Sequence, residues 1–396
     1  MENKQVRLCN FGWGFGGCDM RCKHCYNNSV LRAQEHSIEE LMAVADIVCP
    51  HANSINFGTG EFCFNPNTLA LARYIHAKYP QVKLAITSNG ASILLISDKE
   101  LKELFSDIDV SVDFANPEEH NDFRQHPQAW NWVLKSLQKM KRLGIPRSIV
   151  TCVTSLTTNN HIEQLLLLAK EYNASWRTNW FRHTGRGEEH LRLSSKRFWE
   201  IIKYLIDKGL TFECLSDPLL ASLLGHPEKN PVAGCACGTL SCRIQTDLKV
   251  TPCVYLKGDN WVGGNILQDG LSVIYQHPHF IDLRERKLPA LCRQCQYIAT
   301  CRGGCASRAV LHSGGLDQPD DFCPFIGGDK EAVEAFLQDL RKRIRVVQSH
   351  GLVHDGYLCT MIVNQREIEK SWLARPIANS LINIRSFFTN RKPRLT

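Results

Sequence analysis

Short apolar runs alternate with longer amphipathic ones from residue 6 to about residue 210. The runs at 6–13, 54–58, 82–88, 108–114, 147–155 and 175–181 have strand length. Between and after them, 37–48, 66–79, 98–105, 130–143, 162–172 and 195–208 carry helical periodicity. Such alternation predicts βαβ units and a parallel sheet. Six units make an incomplete (β/α)6 barrel with right-handed crossovers. In that architecture ligands lie at the carboxyl ends of the strands, so chemistry-bearing residues are expected just after each one.

The pattern then changes. Residues 211–231 read as a linker, 232–325 as a small cysteine-rich domain and 326–396 as a helical tail on the 1–210 barrel. The tail offers a helix at 330–347, with Val333, Phe336, Leu337, Leu340, Ile344 and Val347 on one face. A second candidate, 364–388, is interrupted by Pro376, and 389–396 is expected to be disordered. The tail holds 12 Lys and Arg against 7 Asp and Glu, most of the net charge of +7. A solvated surface is the plain reading of that excess, an acidic partner the other.

Eighteen cysteines are the next feature. The N-terminus lacks the apolar core of an export signal, and no run is long and apolar enough to span a membrane. Cysteines in this number without an export signal point to metal binding in a reducing, cytoplasmic setting rather than to disulfides. Neither a membrane nor a nucleic-acid partner is expected. Cys18, Cys22 and Cys25 form a C-x3-C-x2-C triplet on the loop after the first strand. Three thiolates hold three irons of a [4Fe–4S] cube and leave the fourth open.

This triplet resembles that of the radical SAM superfamily. The resemblance implies that the open iron chelates S-adenosyl-L-methionine, whose one-electron cleavage gives a 5′-deoxyadenosyl radical that abstracts hydrogen from a substrate. It also implies cofactor contacts. His24 stands where relatives place an aromatic ring on the adenine. Gly58, Gly60 and Glu61 match a Gly-Gly-Glu-Pro segment, with Thr59 and Phe62 as departures. Ser88 and Asn89, in Thr87-Ser88-Asn89-Gly90, match a Thr-Asn-Gly segment. Ser111 and Arg124 match a serine and an arginine at the cofactor's ribose and carboxylate, with one extra residue between them. The segment around Gly185 and Arg186 is similar to a Gly-Arg turn after the sixth strand.

A second cysteine field runs Cys235, Cys237, Cys242, Cys253, Cys292, Cys295, Cys301, Cys305 and Cys323. Its C-x2-C-x5-C-x3-C block resembles the SPASM domain, a twin auxiliary-cluster extension of radical SAM enzymes. By that resemblance Cys237, Cys242, Cys253 and Cys305 hold one [4Fe–4S] cluster, and Cys292, Cys295, Cys301 and Cys323 another, three clusters in all. Cys235 replaces Cys237 or Cys242 equally well. Structural zinc is the other reading of C-x2-C pairs. Most remaining thiols read as small buried hydrophobes. Cys63 and Cys359 are singled out as thiols that could return hydrogen to a substrate radical.

The expectation is a radical SAM/SPASM oxidoreductase modifying a ribosomally made peptide by cross-linking, epimerisation or a similar step. Its partners are an external one-electron reductant and, unless the 326–396 tail presents the peptide or the substrate is small, a separate peptide-presenting protein. The rival within the class is maturation of a small-molecule, heme or quinone cofactor. Val254 and Tyr255 follow Cys253 where sulfatase-maturing relatives carry a basic aspartate, which argues against that activity. From another class comes a zinc-stabilised, non-catalytic binding protein.

Overall fold

The computed structural model describes residues 6–27, 36–229, 232–347 and 360–364. Six parallel strands form its centre: β1 (Asn10–Gly14), β2 (Ser54–Thr59), β3 (Lys83–Ser88), β4 (Asp107–Ser111), β5 (Arg147–Val153) and β6 (Ser175–Trp180). They lie side by side in chain order, each parallel to the next. The connections carry α1 (Ile38–Val48), α2 (Thr68–Lys78), α3 (Ala91–Leu95), α4 (Asp98–Leu104), α5 (Pro117–Arg124), α6 (Ala129–Leu143) and α7 (Asn159–Glu171), with α8 (Ser195–Asp207) after β6. The expected α/β order is therefore present, with α3 and α5 as short helices the periodicity did not resolve.

Strand alternation explains how this sheet makes a site. Phe11, Trp13, Ile55, Phe57, Ile86, Ile108, Val110, Ile149 and Trp176 belong to the main apolar core. The alternate positions Gly12, Asn56, Gly58, Thr87, Cys152 and Arg177 line one cavity of about 260 Å³ instead. Large side chains fix the sheet to its helices, and small or polar ones keep its other face open.

Past β6 the structure departs from the expected layout. The linker is not plain, because Thr211–Leu215 forms β7 and Pro218–Leu223 a short helix. Strands β8 (Ser241–Ile244), β9 (Lys249–Thr251) and β10 (Gly264–Asn265) extend the sheet beyond β1, with β8 parallel to it. The tail helix ends at Arg343, and β11 (Arg345–Val346) pairs with β7. A final strand, β12 (Met361–Asn364), lies between β6 and β7, antiparallel to both. Met361, Ile362 and Val363 are fully buried there. Asn364 thus closes a strand rather than opening a helix. The rest of the 364–388 candidate, the terminal 389–396 and Cys359 lie outside the described residues. Among the described residues no helix is long and apolar enough to cross a membrane.

A buried ion triad ties the cysteine-rich region to the segment after β7. Arg308, on the helix Ala306–Ser313, makes two hydrogen bonds each to Asp217 and Asp320, at 2.6–3.1 Å. All three side chains are fully buried. Asp217 also caps the helix Pro218–Leu223, and Asp320 accepts the Cys305 backbone N–H at 2.8 Å.

Candidate active site

The cysteine triplet sits on the loop after β1, held by the loops after β2, β3 and β6. Phe15 N–H and Gly16 N–H both donate to Thr59 O, and Glu61 N–H donates to Gly17 O at 2.7 Å. Gly60 has φ +80°, and a Cβ there would stand 2.6 Å from Gly17 O. Only glycine lets the two loops meet so closely.

Glu61 is fully buried, and its carboxylate does local work. It accepts from Ser88 Oγ at 2.5 Å, Asn89 N–H at 2.8 Å and Ser92 N–H at 3.0 Å. Burial raises its pKa, opposed by these same bonds. Asn89 passes the order on: its Nδ2 donates to Asp19 Oδ1 at 2.8 Å and lies 3.9 Å from Cys18 Sγ. Glu61 and Ser88, two expected cofactor contacts, therefore fix the cysteine loop through Asn89.

Helix α5 supports the loop from the other side. Lys23 N–H donates to Phe123 O at 2.9 Å, and His24 stacks on Phe123 with centroids 4.6 Å apart. Burial pushes the His24 imidazole down to about 4, so it is neutral, and its Nδ1 is buried without a hydrogen-bond partner. Arg124 donates from Nε to Asp113 at 2.7 Å and places Nη1 3.9 Å from Cys22 Sγ. Burial works against charge on Asp113, yet Arg124 and the nearby histidines leave its carboxyl below the ordinary value. Burial pushes the Cys22 thiol up to about 11 against the pull of Arg124. A thiol in this state ionises on coordinating a metal, which deprotonates its ligand outright.

The turn after β6 closes the cradle. Arg186 N–H donates to Cys25 O at 2.8 Å, and Gly185 has φ +67°. A Cβ on Gly185 would lie 2.4 Å from the carbonyl oxygens of Cys25 and Tyr26. Gly185→Ala should displace this loop and lower stability by about 1–3 kcal/mol. An unchanged urea midpoint would contradict that packing.

His120 gives this region a pH signature. It lies on the buried face of α5, accepts the Asp113 N–H at 3.3 Å, and burial pushes it down to about 3. Below its ordinary pKa near 6.5 the unfolded chain takes a proton that the folded chain refuses, so stability falls as pH drops. From pH 6.5 to 4 the loss should approach about 1.4 kcal/mol per pH unit, and His120→Asn should remove that share of the slope. Urea titrations at several pH values compare the two; coincident slopes would refute the assignment.

All the residues expected around the cofactor line the one cavity: Cys18, Cys22, His24, Cys25, Gly58, Gly60, Glu61, Ser88, Asn89, Ser111 and Arg124. Cys237, Cys242, Cys253 and Cys305 line it too, so the first set of auxiliary thiols opens onto the triplet's space. The Cys237 thiol is hydrogen-bonded to Cys253, which lowers the Cys253 pKa, and Cys235 contacts Cys305. Cys235 thus joins three of the four expected thiols, while the Cys242 thiol is hydrogen-bonded to Tyr275 instead. Cys292, Cys295, Cys301 and Cys323 line a separate small pocket with Leu219, Leu223 and Phe325.

Other cavity residues escaped the sequence reading. Cys152, Arg182 and Tyr255 all line it. Arg182 stacks 4.2 Å over the Tyr255 ring and reaches Cys305 Sγ at 3.4 Å. Burial raises the Cys152 and Tyr255 pKa values well above the ordinary range, so both keep their protons. Only strand parity within 147–155 could have marked Cys152. Cys63, singled out from the sequence, lies instead against Ser92, its thiol 3.8 Å from the Ser92 carbonyl oxygen.

The family model of the radical SAM superfamily matches residues 14–169, and that of the SPASM iron–sulfur cluster-binding domain matches 235–296. The mycofactocin maturase MftC of Mycolicibacterium smegmatis is 26% identical over 77% of this chain and 80% of its own length. An AdoMet-dependent heme synthase of Methanosarcina barkeri is 24% identical over 79% and 95%. Among solved structures, Streptococcus suis SuiB superposes with a TM-score of 0.65 at 16% identity, covering 80% of this chain and 77% of SuiB. The chain is an enzyme of the radical SAM superfamily with a SPASM domain, and S-adenosylmethionine and iron–sulfur clusters are its cofactors.

Proposed function

We propose that this enzyme uses a radical generated at the Cys18–Cys22–Cys25 loop to modify a ribosomally made peptide. The observation that carries the reading is the single cavity shared by the triplet, the glycine loop of β2 and four auxiliary cysteines. These residues suit an iron–sulfur cluster and S-adenosylmethionine. The triplet offers three thiols to a [4Fe–4S] cluster, and the cavity of about 260 Å³ beside it is lined by His24, whose Nδ1 is unpartnered. Bound there, S-adenosylmethionine supplies a 5′-deoxyadenosyl radical. Gly58, Gly60, Ser111 and Arg124 line its place, while Glu61, Ser88 and Asn89 hold the loop that carries Cys18. The auxiliary thiols form two more [4Fe–4S] sites, Cys237/Cys242/Cys253/Cys305 and Cys292/Cys295/Cys301/Cys323.

A peptide substrate is favoured by the mycofactocin maturase relatives and by SuiB, which has been solved with its precursor peptide SuiA. Heme synthase relatives support the second reading, modification of a cofactor-sized molecule. An external reductant, a peptide-presenting protein and a reducing cytoplasmic setting complete the proposal. The test is anaerobic reconstitution with iron and sulfide counting, then co-expression with any short precursor encoded beside the gene. About 12 irons per chain and a changed precursor mass support the proposal. Zinc in place of iron, or an unaltered precursor with heme-pathway intermediates consumed instead, overturns it.

A further inference from the structure

Among the described residues, the cavity contains one thiol outside both expected auxiliary sets and the triplet. Cys152 stands on β5 between Thr151, which accepts the Trp176 indole N–H, and Val153 in the main core. Those neighbours face the helices, so strand alternation turns Cys152 inward, where it lines the cavity with Ser111 and Arg124. Its backbone N–H donates to Asp113 Oδ1 at 2.9 Å. The same carboxylate holds Arg124, whose far end approaches Cys22. The thiol and the cluster loop are therefore mounted on one frame.

Toward the auxiliary domain, Cys152 meets Tyr255 and Arg182, each close enough to interact with it electrostatically. Arg182 in turn reaches Cys305 Sγ at 3.4 Å. The thiol thus stands between the triplet and the first auxiliary set. An independent sign that a ligand belongs in this space is the buried, unpartnered His24 Nδ1.

We infer that Cys152 is a hydrogen-atom donor to carbon-centred radicals in this cavity, an inference that rests on the cofactor site proposed above. Its S–H bond breaks and a C–H bond forms on the radical carbon, leaving a thiyl radical on Cys152. One electron from a reduced iron–sulfur cluster or from dithionite, and one proton from water, restore the thiol. An S–H bond is weaker than the C–H bonds of most substrates, so the transfer runs downhill. Abstraction and return then allow a product at the same oxidation level as its substrate.

The experiment needs no substrate. Reconstituted wild type, Cys152→Ser and Cys152→Ala are equilibrated in D2O with S-adenosylmethionine and dithionite, and 5′-deoxyadenosine is weighed by mass spectrometry. Binding is followed separately, as the change in the reduced cluster's EPR spectrum on adding S-adenosylhomocysteine. Wild type should place one solvent deuterium in the product. Both variants should lose most of that label while still giving the EPR change, since a serine O–H bond is too strong to donate. Equal labelling in all three, or an unlabelled wild-type product, overturns the inference. No 5′-deoxyadenosine and no EPR change in any sample overturns the cofactor site, and the inference with it.

Discussion

Replacing Cys18, Cys22 and Cys25 together by alanine is expected to abolish formation of 5′-deoxyadenosine. Iron should fall from about 12 to about 8 per chain, the loss of one cube. The effect should be complete because nothing else in the cavity substitutes for the triplet's loop. That loop is held in place by Glu61 N–H, Asn89, Phe123 O and Arg186 N–H, none of which is a metal-binding thiol. The auxiliary thiols lie on other segments, anchored by β8 and the Arg308 triad, so their eight irons should stay. Stability should change little, since the loop's own packing is mostly backbone hydrogen bonding. Retained cleavage would show that the radical starts elsewhere. Loss of all iron would show that the three sites fill as one.

The second large effect should come from Arg308→Leu. Arg308 is fully enclosed and neutralises two enclosed carboxylates, Asp217 and Asp320, while stacking 4.8 Å over Phe322. Leucine fills part of the volume but leaves both carboxylates without a counter-charge. Breaking a buried pair from one side costs about 3–5 kcal/mol, and here two partners are stranded. Because Asp320 also receives the Cys305 N–H, iron at both auxiliary sites should drop with stability. Urea unfolding with parallel iron analysis reads both. A loss below about 1 kcal/mol would mean that water or a rearranged loop reaches the triad.

Much of this arrangement was legible because two periodicities were strong. Strand–helix alternation located β1 to β6, and cysteine spacing located every thiol but Cys152 now found around the two pockets. What escaped depends on partners distant in sequence. Arg308 reads as one basic residue on a short helix until Asp217 and Asp320 converge on it. Glu61 reads as a cofactor contact, but its carboxylate is consumed by the loop after β3. The run at 361–364 is too short to announce a strand, and only the gap between β6 and β7 gives it one. Cys152 looks like any small core residue until the direction of β5's pleat is known.

That last strand also sets an order of assembly. Met361 pairs with Thr178, and Val363 with Trp176, across more than 180 positions of chain. A ribosome delivers β6, β7 and every auxiliary cysteine before it delivers β12. Until then, two strands bearing buried apolar side chains have hydrogen-bonding edges with no neighbour, the kind of edge that invites pairing with another chain. Completion of the sheet is a late, long-range event, so nascent or C-terminally truncated chains should aggregate through the β6–β7 seam, and overproduction should benefit from slow synthesis.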